Sequence, residues 1–411
     1  MKKSLLYAVL AFVVCGLTSV GVRAETIKVA VIEILSGPFA AQGAWIAHHA
    51  QAAFDEINAR GGVLGGTKIE MVLVDNKGNP QDALLALKQV TDQGIRFIFG
   101  GTSSNIALAL SDATKKHSER EPDNSALFLD LNATAPELTN EKCNFWHFRF
   151  LANVDMLLEI LTRQVATQKD LHKVYLINED YSYGQAVQRA ATDMLTRRRP
   201  DLQIVGNELH PLGKVKDFAP YVAKIKASGA EAVITGNWGN DLALLVKASK
   251  DSGLAVPFYT VTAHYIGTPN AFGMTGADRV LNISSWHPNV ADSRLESTYV
   301  AFKRKYKEEW NMLPIRYGVE MWAKAIDVAG TADPIKVAKA LEGMHHDVGA
   351  GPAWMRAEDH QLMSPQYAYL FTRAGGAVKH EIEGSGLGTQ TVARFEAEET
   401  VRPYTCKMQR P

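Results

Sequence analysis

The stretch IKVAVIEIL, residues 27–35, is a nearly continuous apolar run interrupted by one lysine and one glutamate. A strand with one face in water alternates apolar and polar residues, whereas an unbroken apolar strand is buried on both faces. Strands of the second kind are typical of parallel sheets that are covered by helices on both sides. The stretch therefore predicts an α/β fold in which residues 27–35 form the first strand.

Helix and strand patterns alternate downstream of this strand. Residues 45–60 carry apolar side chains at helical spacing and end at a Gly-Gly pair. Asn79 and Pro80 are predicted to open a second helix as its cap and first-turn proline. Three more strands are predicted, each preceded by a helix: residues 69–74, 95–99 and 126–131. This β-α-β order predicts a parallel sheet with helices on both sides.

The same rhythm restarts near residue 150, which predicts a second α/β lobe. Strands are predicted at residues 173–177, 204–207, 232–235, 257–262 and 280–284. Helices are predicted at residues 293–310, 314–329 and 334–343, followed by one strand at 367–372. The 411 residues are long enough for two such lobes.

The first 24 residues have the pattern of a secretory signal peptide. Lys2 and Lys3 precede an apolar stretch, residues 5–20, and cleavage is predicted after Ala24. Cys15 leaves a lipoprotein as an alternative, although the residues before it lack the small side chains that lipid attachment requires. No later stretch is long enough to span a membrane, so we expect a soluble periplasmic protein without direct membrane insertion.

Composition is that of an ordinary globular protein, with 46% hydrophobic and 21% charged residues. Removal of the leader leaves 41 basic and 44 acidic residues, and no basic stripe stands out. A nucleic-acid partner is therefore not expected. Export also leaves Cys143 and Cys406 as the remaining cysteines, which predicts a structural disulfide between them. The alternative is two unrelated buried thiols.

The loops after the predicted strands carry the residues that could bind a ligand, because ligands of parallel α/β sheets bind outside the carboxyl ends of the strands. In the first lobe these loops are SGPFAAQG (36–43), GGTSSN (100–105) and LNATAP (131–136). Thr102, Ser103 and Ser104 open a helix, and a helix N-terminus favours an anion such as a carboxylate. In the second lobe the corresponding loops present aromatic side chains: Tyr181, Tyr183, Trp238 and Tyr265.

A cleft with one polar wall and one aromatic wall suits a small molecule with a charged head and an apolar body. Each feature also has a structural interpretation. A single Thr or Ser after a strand is often a helix cap, and Trp238 could pack over a lobe edge. The combination of several polar strand ends with several aromatic ones favours a binding site.

Several segments resemble the periplasmic solute-binding proteins of bacterial ABC importers, of the branched-chain amino-acid (leucine/isoleucine/valine) type. The resemblance rests on SGPFAAQG, on residues 55–76, on NATAPELT (132–139) and on the segment that ends in AEAVITG (230–236), and it covers nearly the whole mature chain. It implies two Rossmann-like lobes joined by three crossovers that close on a ligand like a hinged trap. The expected lobes are residues 25–149 with 288–360, and residues 150–287 with 361–411.

The resemblance also implies roles for particular residues. The ligand's carboxylate and amino group would be bound by Thr102, Ser103, Ser104, Asn132 and Thr134, and its body by Tyr183 and Trp238. The position of the family's first-loop tyrosine is Gln42, with Trp45 nearby. Where amino-acid binders of this family place an acid, this chain has Thr262, Ala263 and His264. A buried ammonium without a carboxylate partner is costly. The expected ligand is therefore either a branched-chain amino acid, with Asp241 or Glu179 in place of the missing acid, or a related apolar or aromatic acid or amide.

Other classes of protein fit less well. Dinucleotide-binding, nucleophile-elbow and P-loop motifs are missing from the sequence, so neither an enzyme nor a cofactor is expected. The adjacent pairs His48-His49 and His345-His346 would splay apart on a helix, so no metal site is expected. The expected partners are a small-molecule ligand and ABC permease subunits, with the binding protein itself a monomer. The alternative is a ligand-sensing module that signals to a separate membrane receptor.

Overall fold

The computed structural model describes residues 26–291 and 293–411, and the predicted signal peptide, residues 1–24, lies outside these residues. The strands in chain order are β1 (Thr26–Glu33), β2 (Lys68–Asp75), β3 (Phe97–Gly100), β4 (Leu127–Asp130), β5 (His147–Arg149), β6 (Lys173–Glu179), β7 (Gln203–His210), β8 (Ala232–Thr235), β9 (Phe258–Thr260), β10 (Val280–Ser284), β11 (His345–His346), β12 (Ala353–Arg356), β13 (Gln361–Met363), β14 (Gln366–Arg373) and β15 (Leu387–Phe395).

The helices are α1 (Ala40–Ala59), α2 (Pro80–Asp92), α3 (Ser104–Arg120), α4 (Val154–Thr167), α5 (Ser182–Arg198), α6 (Ala219–Ala227), α7 (Gly239–Asp251), α8 (Thr268–Phe272), α9 (Glu296–Tyr306), α10 (Leu313–Ala329) and α11 (Pro334–Leu341). The predicted start of α2 is confirmed: the Asn79 side chain accepts a hydrogen bond from the Asp82 amide at 2.9 Å, and Pro80 occupies the first turn.

The strands form two mixed, mostly parallel sheets. The first has the order β11-β12-β13-β5-β4-β3-β1-β2 and the second has the order β15-β14-β10-β9-β8-β6-β7. All pairs among β1 to β5 and among β6 to β10 are parallel, and the late strands add antiparallel pairs at one end of each sheet. The prediction of two Rossmann-like α/β lobes is confirmed.

The helices that follow β10 pack on the first sheet. Trp322 of α10 is fully buried and contacts Phe97 and Phe99 of β3 edge-to-face, with ring centroids 5.2 and 5.4 Å apart. It also meets Phe54 of α1 at 6.1 Å. Edge-to-face aromatic contacts of this kind stabilise a core beyond the area that they bury. A segment distant in sequence therefore completes the core of the first lobe.

The chain passes between the sheets three times. It leaves the first sheet after Arg149, returns to it with β11, and enters the second sheet again at Gln366. Because β13 pairs with β5 in the first sheet, the last passage lies at residues 364–365. We refer below to the unit built on the first sheet as the first lobe, and to the unit built on the second sheet as the second lobe.

The prediction of one strand after residue 343 is wrong, because five strands follow that residue. Strands β11 to β13 have two to four residues each, too few to show an alternating pattern. Strand β15 lies at the edge of its sheet and exposes polar side chains along its middle. A polar edge strand resembles a loop when only its sequence is considered.

The predicted disulfide is confirmed, since Cys143 and Cys406 are bonded. It holds the C-terminal tail, residues 401–411, against the first lobe. In the same tail the Thr405 amide donates to the Asn140 side chain at 3.0 Å. The tail therefore joins the end of the second sheet to a loop of the first lobe.

Candidate ligand-binding cleft

A cleft lies between the carboxyl ends of the strands of both sheets and encloses about 690 Å³ when its open mouth is included. Eight of the ten predicted ligand residues line it: Thr102, Ser103, Ser104, Asn132, Thr134, Tyr183, Trp238 and Thr262. The fold brings these residues together because each follows the carboxyl end of a strand or opens the next helix.

The polar wall is the N-terminus of α3. Ser103 is its cap residue with φ of 73°, a left-handed conformation that costs a non-glycine residue about 1–3 kcal/mol. The first bonded amides of the helix are those of Ile106 and Ala107, which donate to the Ser103 carbonyl at 3.0 and 3.1 Å. The amides of Ser104 and Asn105 therefore precede the helical hydrogen bonds and can donate to an anion.

The LNATAP loop forms the rest of this wall and is shaped by Asp130 at the end of β4. One carboxylate oxygen of Asp130 accepts the amides of Asn132 and Ala133 at 3.0 and 2.8 Å. The Asn132 side chain then donates to the Thr102 hydroxyl at 3.3 Å. The Thr134 hydroxyl has no hydrogen-bond partner in the described chain, so it remains available to a ligand.

A carboxyl group lies directly behind the polar wall. Glu33, at the end of β1, is fully buried and accepts the Thr102 amide at 3.4 Å. Burial raises the pKa of Glu33 to about 7, and the contacts with Thr102 oppose that rise. Below pH 7 this carboxyl group is therefore mostly protonated, so it adds little repulsion to an anion at α3.

The aromatic wall comes from the second lobe. Trp238 donates its indole N–H to the Tyr181 hydroxyl at 2.8 Å, and its backbone amide donates to Glu179 at 2.9 Å. Phe39 of the first lobe stacks on the indole with ring centroids 4.3 Å apart. The Tyr183 hydroxyl is buried and lacks a hydrogen-bond partner of normal geometry in the described chain. Trp238 is therefore fixed in place by these three contacts.

Carboxylates do not line the cleft: among the described residues of its walls none is Asp, Glu, Lys or Arg. The Thr262 hydroxyl donates to the Asn237 carbonyl at 2.6 Å, so its proton is already committed. Asp241 accepts the Gly213 amide at 2.7 Å and is buried away from the cleft. Burial raises the pKa values of both Asp241 and Glu179, and neither lines the cleft.

Gln42 and Trp45 lie outside the cleft lining. The Gln42 side chain donates to the Ile266 carbonyl at 3.5 Å, and the Trp45 indole donates to the Glu309 carbonyl at 2.8 Å. The family resemblance predicted that both residues contact the ligand. In the structure, α1 instead directs both side chains to backbone carbonyls elsewhere in the protein. Gln42 joins the two lobes at a point beside the cleft.

Further residues complete the cleft. Tyr181 and Tyr265 follow strand ends, so the sequence contained the signal that places them there. His264, Asn311 and Gln366 also line the cleft. Asn311 lies two residues before α10 and Gln366 is the first residue of β14, and no motif in the sequence indicated either of them. The lobes also touch across the cleft, where the Asn311 side chain donates to the His264 carbonyl at 2.9 Å.

The histidine pairs make separate contacts. His48 pairs with Glu308 at 2.9 Å, whereas His49 bonds to the Trp45 carbonyl at 2.8 Å. Within residues 26–291 and 293–411, no three His, Cys, Asp or Glu side chains converge as metal ligands would.

The fold and the cleft together define a two-lobed binding protein. The chain belongs to the periplasmic binding protein family, whose sequence profile matches residues 26–377. This confirms the family that the sequence resembled, a family of solute-binding proteins. In the same part of the chain that the structure describes, none of the helices combines the length and hydrophobicity that a membrane span requires.

The similar proteins cover nearly the full length of the chain. The Leu/Ile/Val-binding protein homolog 4 of Brucella abortus (strain 2308) is 30% identical over 95% of this chain and 94% of its own length. A closed crystal structure of the leucine-, isoleucine-, valine-, threonine- and alanine-binding protein from Brucella ovis is 28% identical. It superimposes with a TM-score of 0.85 and covers 94% of this chain and 100% of that one.

A further structure shares the fold at lower identity. It is a solute-binding protein of an ABC transporter from Rhodopseudomonas palustris BisB5 in complex with 3,4-dihydroxybenzoic acid. Its TM-score is 0.79 at 18% identity, with 90% of this chain and 98% of that chain covered.

Proposed function

We propose that this protein is the solute-binding component of an ABC importer, which captures a small carboxylate between its lobes and delivers it to a membrane permease. The observation that carries the proposal is the cleft itself. One wall ends in a helix N-terminus with free donors, and the facing wall is aromatic. Such a cleft binds a charged head at one side and an apolar body at the other.

The head group follows from the donors on the polar wall. The amides that open α3 and the Thr134 hydroxyl all donate, and the helix dipole adds partial positive charge. Burying a carboxylate is costly unless several donors converge on it. Both ligand types named for similar proteins, branched-chain amino acids and 3,4-dihydroxybenzoic acid, carry a carboxylate.

The lining disfavours an amine. A buried ammonium needs a carboxylate partner, and the described walls of the cleft contain none. We therefore propose that an apolar or aromatic carboxylate without an amine binds at least as tightly as leucine. Ligand residues in this proposal are the eight cleft-lining residues predicted from the sequence, together with Tyr181 and Tyr265.

The remaining features of the proposal concern the whole chain. We propose export to the periplasm with cleavage after Ala24, which the Cys143–Cys406 disulfide supports because such bonds persist in oxidising compartments. We also propose that the protein acts as a monomer without catalysis, and that its lobes are residues 25–149 with 288–360 and residues 150–287 with 361–411, except that the pairing of β13 with β5 moves the last boundary from residue 360 to residues 364–365.

A thermal-shift screen of the mature protein tests the function. The protein is first unfolded and refolded with its disulfide intact, to remove any copurified ligand. The panel contains leucine, 4-methylpentanoate, benzoate, 4-hydroxybenzoate and leucinamide. A ligand at 100 times its Kd stabilises the folded protein by about 2.7 kcal/mol, so a hit raises Tm clearly.

Scattering then tests the closing motion. A hit should reduce the radius of gyration at saturating ligand, because the ligand bridges the lobes and favours the closed state. If no compound in the panel raises Tm, the proposed carboxylate specificity is wrong. If a hit binds without compaction, the hinged mechanism is wrong.

A further inference from the structure

We propose that His264 selects the second polar group of the ligand: its Nε2–H donates to a ligand oxygen at the second-lobe side of the cleft. The inference rests on the proposed function and adds a requirement to it. The ligand is a carboxylate that carries a second oxygen acceptor (a hydroxyl, a carbonyl or another carboxylate) and no amine.

The orientation of the Asn282 amide is determined by its neighbours. The Ala263 backbone amide donates to Asn282 Oδ1 at 2.8 Å, which identifies that atom as the oxygen. The two hydrogens on Nδ2 then point to Tyr369 and His264. Nδ2 donates to the Tyr369 hydroxyl at 2.8 Å and to His264 Nδ1 at 3.2 Å. Both amide hydrogens are therefore used. Exchanging Oδ1 and Nδ2 would place the NH₂ group of Asn282 against the Ala263 N–H, so that two donors would face each other.

The tautomer of His264 follows. Its Nδ1 accepts a hydrogen bond, so the single proton of a neutral ring is on Nε2. The ring is neutral because burial lowers the pKa of His264 to about 3, and the contact with Asn282 only partly opposes this. His264 thus presents an N–H donor from Nε2 and no acceptor.

Nε2 is the part of the ring that is left for a ligand. His264 lines the cleft and retains 9% of its surface exposed. No hydrogen bond to Nε2 is present in the described chain, and Nε2 is not among the fully enclosed unpaired atoms. The ring packs edge-to-face against Tyr265 with centroids 4.9 Å apart, which restricts its rotation.

A fixed N–H donor at this position distinguishes ligands by their charge and by whether they carry a hydrogen-bond acceptor. An ammonium facing Nε2–H would set two donors against each other and would leave the positive charge unpaired. An oxygen acceptor satisfies the donor, whereas an apolar group leaves it unpaired.

The test uses ligands that differ only in the second polar group. Leucine, 2-hydroxy-4-methylpentanoate, 4-methyl-2-oxopentanoate and 4-methylpentanoate share one skeleton, and 4-hydroxybenzoate is compared with benzoate. Isobutylmalonate (2-(2-methylpropyl)propanedioate) supplies the second carboxylate. Calorimetry on wild type should show at least one oxygen-bearing ligand binding roughly tenfold more tightly than its oxygen-free partner.

The variants assign that preference to His264. In His264→Phe the tenfold preference should fall below about threefold, whereas His264→Gln, which keeps a side-chain N–H, should retain part of it. Thr134→Ala is the matched control, because it should weaken both members of a pair alike. Unliganded Tm values identify any variant that fails to fold, and ring ¹⁵N shifts of wild-type His264 should independently report a neutral Nε2–H tautomer at pH 7.

The outcomes separate the inference from the function on which it rests. Equal preference in wild type and His264→Phe, or tightest binding by leucine, overturns the inference while the binding function stands. A Nδ1–H tautomer or a charged ring in the unliganded protein also overturns it. If no member of the panel binds at all, the proposed function fails together with the inference.

Discussion

The Tyr265 hydroxyl donates a hydrogen bond to Asn132 Oδ1 at 2.7 Å, and the two residues belong to opposite lobes. Asn132 in turn donates to the Thr102 hydroxyl at 3.3 Å on the polar wall. Both residues of the interlobe bond are buried. Closure of the lobes and the arrangement of the polar wall are therefore linked through one side chain.

Replacing Tyr265 by phenylalanine tests this link. The variant keeps the ring but leaves Asn132 Oδ1 unpaired in the closed state, which costs about 1–3 kcal/mol. We expect the best ligand of the screen to bind about 5- to 150-fold more weakly by calorimetry. Tyr221→Phe is the control, because its hydroxyl makes no hydrogen bond in the described chain. Unchanged affinity in Tyr265→Phe would show that the bond does not favour closure.

Thr134 provides the second prediction. Its hydroxyl is free of protein partners and lies beside the opening turn of α3. Thr134→Ala removes one hydrogen bond to a charged head group, so affinity should fall about 10- to 150-fold. Thr134→Ser keeps the hydroxyl and should bind within a few-fold of wild type. Equal losses in the two variants would indicate a packing role for the methyl group instead.

The disulfide should stabilise the fold. Its partners are 263 residues apart in sequence, and a bond that closes so long a loop restricts the unfolded chain. The double variant Cys143→Ala/Cys406→Ala should therefore lose about 2–5 kcal/mol of unfolding free energy in urea titrations. Native wild type should resist alkylation until reductant is added. Rapid alkylation without reductant would mean that the mature protein does not form the bond.

Buried histidines should make stability fall in acid. His49 bonds to the Trp45 carbonyl through Nδ1 at 2.8 Å and accepts the Asn311 amide at Nε2 at 3.3 Å, so a second proton has no place. Burial lowers the pKa of His49 to about 3. The contribution of His49 to the free energy of unfolding is therefore present above pH 6.5, the pKa of the ring in the unfolded chain, and is lost as pH falls toward 3.

The effect of His49 on stability can be separated from that of other buried groups by one substitution at His49. Glu33 has the opposite pH dependence: its pKa is raised to about 7, so its contribution to stability is present below pH 4.5 and is lost as pH rises to 7. The pH dependence of wild-type stability therefore contains both contributions, that of His49 and that of Glu33. Between pH 5.5 and 4.5, His49→Gln should lose about 1.3 kcal/mol less than wild type in urea titrations. Identical losses would show that His49 is protonated in the folded protein.

Much of the fold could be predicted because its signals are local. The apolar run at residues 27–35 and the Asn79-Pro80 helix start each lie within a few adjacent residues, and the structure has β1 and α2 there. The alternation of such segments then limits the topology to parallel α/β lobes. Very short strands were missed, because pairing with β5 and with each other defines β11 to β13 rather than any pattern of their own.

The candidate site, like the fold, was predictable from the sequence in some respects and not in others. Its position, the polar loops of the first lobe and the aromatic loops of the second could be predicted, because strand ends of a parallel sheet meet at one edge. The pairing of Cys143 with Cys406 could be predicted because the third cysteine of the sequence, Cys15, lies in the predicted leader.

Only the tertiary structure decided which polar atoms remain free. The Thr262 proton is used by Asn237, whereas the Thr134 hydroxyl is left for a ligand, and both residues looked alike in sequence. The proton on His264 is placed by Asn282, which lies 18 residues away on β10. Hydrogen-bond partners of this kind come from segments brought together by folding, so the chemistry of the cleft depends on contacts that no local pattern encodes.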